Sequence, residues 1–88
     1  MDYSKSTRNL TNAQVGFIFA ELRAGLALIS IAEGGRRDAG QSRAHARAAY
    51  DCVLRFVNHV PLTNEEAKEV RGKLKILKKR LKSLGETV

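Results

Sequence analysis

Only a handful of side chains in this sequence carry chemistry beyond charge: Cys52, the histidines His45 and His59, and the tyrosines Tyr3 and Tyr50. Nucleophilic or acid–base catalysis needs such groups within mutual reach. His45, Cys52 and His59 stand seven residues apart. On one helix this gives nearly a single stripe, with neighbours about 10 Å from one another at 1.5 Å per residue. Direct hydrogen bonding and shared metal ligation within that helix are excluded, so we expect no catalytic residue, no metal site and no cofactor. Cys52 lies in the apolar run Cys52-Val53-Leu54 and reads as a small buried thiol.

Charge offers two further candidates. Gly34-Gly35-Arg36-Arg37 leads into a helix start, where N–H groups, helix dipole and the guanidinium groups of Arg36 and Arg37 suit an anion. The glycine-lysine-serine/threonine element of a nucleotide P-loop is missing, and a solvated turn is the simpler reading. Lys73, Lys75, Lys78, Lys79, Arg80 and Lys82 form the one dense basic run. Nucleic acid is a possible partner for it, but no aromatic side chain is interleaved for stacking and three glutamates share the segment. The net charge of +7 is unevenly placed. Residues 1–33 balance three basic against three acidic groups, whereas residues 62–88 hold eight basic groups against four glutamates. An acidic partner fits that excess.

The elements that must position these residues are helices. Thr11 with Gln14 fits a capping box stapled by Leu10 and Val15, and Gly34-Gly35 is a natural terminator, so a first helix is predicted near 12–33 behind a flexible arm at 1–10. Asp38 with Gln41 repeats a weaker start, and Pro61 stops a second helix near 39–60. Thr63 with Glu66 makes the clearest box and Gly85 closes a third helix near 64–84. Apolar residues recur at helical steps: Val15, Ile18, Leu22, Leu26 and Ile29; Ala46, Ala49, Val53, Phe56 and Val60; Val70, Leu74, Leu77, Leu81 and Leu84. Short connections favour antiparallel neighbours, so residues 1–88 read as a single all-α domain, a three-helix antiparallel up-down-up bundle. The weakly charged stretch Phe17–Ala32 contains Glu21 and Arg23 and is shorter than a bilayer span, and MDYSKSTRNL lacks a secretory pattern. A cytoplasmic protein without membrane insertion is expected.

Two surfaces stand out on helical wheels. Ile76 sits between Lys73 and Arg80, one turn away on either side, and with Tyr50 and Leu54 of the second helix would line an apolar groove with a basic rim, suited to an acidic amphipathic helix. On the first helix Phe17, Ala20, Ala24, Leu28 and Ile31 lie about 120–180° from Leu22, a second apolar stripe that two partner helices cannot cover. The simplest cover is the same helix of a second copy, which predicts a homodimer, with the arm bearing Tyr3 as the other possible cover.

The order of features resembles the microtubule-interacting and trafficking (MIT) domain, a three-helix relative of the tetratricopeptide unit. The resemblance spans about Arg23 to Leu84: Ala24 to Gly34 closing a first helix, Ala46 to Tyr50 and Leu54 in an alanine-rich second, and Val70-Arg71, Lys73, Leu77, Arg80 and Leu84 in the third. Ala49, Val53 and Pro61 also fall where one tetratricopeptide repeat would place its second-helix residues. The resemblance implies a non-enzymatic scaffold that holds short peptide motifs between its helices. A self-associating or peptide-binding interaction module is the function expected, with a small basic nucleic-acid-binding domain as the alternative.

Overall fold

The computed structural model describes residues 3–35 and 37–88, with side-chain detail from Thr11 onward. It contains α1 (Tyr3–Glu33), α2 (Ala39–Val57) and α3 (Asn64–Ser83), and no strand among the described residues. Phe17, in the first half of α1, meets Phe56 near the end of α2, while Glu33 at the end of α1 meets Arg80 late in α3. The order is therefore up-down-up, as expected.

Local chemistry explains most of the boundaries. The Thr63 Oγ1 accepts from the Glu66 N–H at 3.1 Å and the Thr63 N–H donates to Glu66 Oε1 at 2.9 Å, so the capping box that predicts α3 is complete. Gly35 takes φ 65° after α1 and Gly85 takes φ 94° after α3, the left-handed conformation that closes a helix at little cost for glycine. Asp38 precedes α2 without a side-chain capping bond.

Two boundaries differ from expectation. The helix does not start at Thr11: α1 runs from Tyr3, so residues 3–10 extend the helix instead of forming an arm over its outer face. No proline interrupts Tyr3–Glu33, and adding residues to an existing helix is far easier than nucleating one, so a cap signal inside the run is passed over. The second helix ends at Val57, short of Val60, where the His59 N–H already bonds the Phe56 carbonyl at 2.9 Å in a tighter turn. Pro61 disfavours helical backbone in the residue before it, and the last turn unwinds. At about 1.5 Å per residue α1 is about 46 Å long against about 30 Å for α3, so its N-terminal turns extend past the bundle. The long axis of the molecule is 53 Å.

Ile18, Leu22 and Ile29 of α1, Val53 of α2, and Val70, Leu77 and Leu81 of α3 are fully buried. Ala46, Ala49 and Gly25 let α1 and α2 approach closely. Phe56, placed in the seam by its spacing, is instead exposed, because burial of Tyr50 turns the core-facing arc of α2 away from it, and its ring lies against Phe17.

Arg80 ties α3 to the end of α1. Its Nε donates to Glu33 Oε2 at 2.9 Å and its Nη2 to Ser30 Oγ at 2.9 Å, with a second contact to the Glu33 carboxylate making a fork. The Arg80 hydrogen bonds hold the Glu33 carboxyl below its ordinary range, opposed by burial and helped by the guanidinium charge. A depressed folded-state pKa contributes stability that is complete above the unfolded value of about 4.3 and is lost as pH falls through the folded value. Thermal melts should therefore find the wild type more stable than Glu33→Gln near neutrality, with the gap closing below about pH 4. A gap of unchanged size in acid would show that the carboxylate charge is not what Arg80 holds.

Candidate interaction surfaces

Of the groups with the most chemistry, the Tyr3 side chain lies outside the described residues. His45 and His59 are exposed, Cys52 is half-buried, and Tyr50 is in the core at 6% exposure. Among the described residues no three His, Cys, Asp or Glu side chains gather where they could hold a metal ion. Arg37 is exposed on the turn between α1 and α2, beside the carboxylate of Asp38 that already sits at the start of α2 and would repel an anion. Arg36 lies outside the described residues.

The five residues expected to line one peptide groove do not share a surface. Tyr50 is core, and Leu54 lines a cleft between α2 and α3 together with Val57, Leu62, Ala67, Arg71 and Leu74. Lys73 and Arg80 lie on the other flank of α3, against α1: Lys73 Nζ stands 5.6 Å from the centre of the Phe19 ring and 3.3 Å from Glu69, and Arg80 holds Glu33. Ile76, 51% exposed, sits on that α1 flank between two cations that are already paired. The wheel of α3 alone places Ile76 beside Lys73 and Arg80. It leaves open which neighbouring helix that flank meets.

The outer face of α1 is open. Phe17, Ala20, Ala24 and Ile31 are exposed, and so are Ala13, Gly16 and Ala27 beside them. Leu28 departs from the expected stripe: it is half-buried and packs on the core. The reason is a rotation of α1 about its axis. Burial of Gly25 and Ala32 puts the middle of the buried arc about 40° from Leu22 toward α2, which carries Leu28 to the edge of the core. Phe17 leans the same way, its ring edge-on to Phe56 at 5.8 Å and 84°. These two rings, with Ala13, Gln14, His59 and Val60, line an apolar notch of about 460 Å³ at the end of the bundle. Thr11–Glu33 is also long and apolar enough to cross a membrane by length and composition alone, longer than the Phe17–Ala32 stretch considered from sequence, and 28% of its most apolar window is buried inside the bundle.

One set of contacts had no mark in the sequence. Arg43 donates to the Leu84 carbonyl at 3.0 Å and Arg47 to the Thr87 carbonyl at 2.7 Å, while Arg47 also pairs with Asp51. These bonds seat residues 84–88 along α2, where Val88 packs against the core. Two arginines of the basic middle segment are therefore structural. No family model, curated protein or solved structure matches the chain.

Proposed function

We propose that this chain is a non-enzymatic helical interaction module that pairs with a second copy of itself through the outer face of α1. One observation carries the reading: the most apolar helix of the bundle leaves a whole side uncovered. Ala13, Gly16, Phe17, Ala20, Ala24, Ala27 and Ile31 are exposed, and no charged residue interrupts the face over a length of about 27 Å. A second, contiguous apolar face on a bundle helix, left to water, is the kind of patch that marks an interface. Small residues along its middle allow two such helices to approach closely, and a two-fold axis makes one face serve both partners. The paired rims at Lys73 and Arg80 give an acidic helix less to bind, so the second copy is the favoured partner over a charged peptide.

Ala24→Glu tests this reading. Position 24 is exposed in the bundle, so the variant should keep its helical circular dichroism, but in a two-fold dimer it buries two carboxylates against apolar neighbours. Light scattering at micromolar concentration should give twice the 9.7 kDa chain mass for the wild type and the single-chain mass for the variant. A wild type that stays monomeric, or a dimer indifferent to Ala24→Glu, overturns the proposal. So does a chain recovered only in detergent-extracted membranes, which would assign the face to lipid.

A further inference from the structure

The cations of α3 divide by face. Lys73 and Arg80 turn to α1. The other six, Lys68, Arg71, Lys75, Lys78, Lys79 and Lys82, are all exposed. With Lys75 at zero on the helical wheel, the six fall within about 60° on either side. Asn64 and Gly72 are the remaining residues of α3 in that arc, and no carboxylate falls inside it. Among the described residues none of the six makes an ion pair. From Lys68 to Lys82 the ridge is about 21 Å long.

We propose that this ridge binds the phosphate backbone of double-stranded DNA without reading its sequence. Shape decides among polyanions. Lys68, Lys75 and Lys82 stand on the crest, with Arg71 and Lys78 on one flank and Lys79 on the other. A helix about 10–12 Å across fits a major groove about 12 Å wide, whose two walls present phosphates to the flanks while the long lysines of the crest lie in the negative field between them, free to reach to either wall. A flat anionic lipid surface would meet the crest alone, and the arc has no bulky apolar residue to enter the bilayer. An acidic amphipathic peptide needs an apolar groove, and the α2–α3 cleft beside the ridge is lined by Arg71 alone of the six cations. No aromatic ring is present on it for stacking single strands, and five lysines among six cations suit backbone contact over base readout. The ridge belongs to one chain and is separate from the outer face of α1, so the inference does not rest on self-association.

The test is fluorescence anisotropy of the full chain with a labelled 20-base-pair duplex of arbitrary sequence between 50 and 200 mM NaCl. Six neutralised phosphates give a slope of log affinity against log salt of about −5, a loss of about 10³-fold over that range. Lys75→Gln/Lys79→Gln/Lys82→Gln should flatten the slope to about −3, a loss of about 40-fold over the same range. Arg23→Gln/Arg37→Gln/Arg55→Gln removes the same net charge away from the ridge and should leave the slope unchanged. Single lysine-to-glutamine variants, each lowering the slope by about 0.9, carry the test if the triple variant loses its helical spectrum. Absence of binding at 50 mM NaCl overturns the proposal. Equal losses in the two triple variants do so too, as does capture by vesicles of anionic phospholipid that the duplex fails to displace.

Discussion

Truncating Leu77 to alanine is expected to lower the stability of the fold by about 2–5 kcal/mol. Leu77 is fully buried at the centre of the α3 seam, and its Cδ2 lies 3.0 Å from where a Cβ on Gly25 of α1 would stand. Removing the side chain forfeits its transfer from water and leaves a cavity between three helices that can relax only in part. Urea unfolding followed by circular dichroism measures the loss as a shift in midpoint at constant slope. A change under about 0.5 kcal/mol, the scale of an ordinary surface substitution, would show that this seam is not the core.

Gly25→Leu should also destabilise, by about 1–3 kcal/mol or more, and here the sign itself discriminates. Helix propensity alone favours leucine over glycine by nearly 1 kcal/mol, so an open position would be stabilised. Gly25 is not open: a Cβ at this residue would stand 3.0 Å from Leu77 Cδ2 and 3.3 Å from the Ala49 Cβ. A leucine there must push α2 or α3 away. The double variant Gly25→Leu/Leu77→Ala moves a leucine side chain from one side of the same contact to the other and should recover part of both losses. A coupling of at least about 1 kcal/mol in the double-mutant cycle is expected, and strict additivity would show that the two residues do not meet.

Helix ends governed by a few neighbouring residues were legible. Thr63 and Glu66 form a reciprocal pair within one turn, and Gly35 and Gly85 need only their own backbone freedom, so these signals act before any tertiary contact exists. Thr11 with Gln14 has the same spacing and fails as a start, because a cap signal marks a boundary only where the preceding backbone leaves the helix, and the run from Tyr3 does not. The candidate surfaces were legible in part. The exposed α1 face follows from its own periodicity, but the peptide groove required Tyr50, Leu54 and Ile76 to meet across helices, and they do not.

Three helices, most of the buried seam on each and the concentration of positive charge in the last one were readable from residue order alone, since all of these are repeats of residue type along 3.6-residue turns, whereas Phe56, Tyr50 and Leu28, at the edges of their stripes, were misplaced. Tertiary structure decided how far each helix rotates about its axis. The close approach of Gly25 to Ala49 and Leu77 turns α1 toward α2, takes Leu28 into the edge of the core and brings Phe17 against Phe56. It also decided which cations are spent inside the fold. Arg80 on Glu33, and Arg43 and Arg47 on the carbonyls of residues 84 and 87, are partners about 40 residues or more apart in the chain. No local pattern encodes such pairs, because each depends on the register between helices that packing sets.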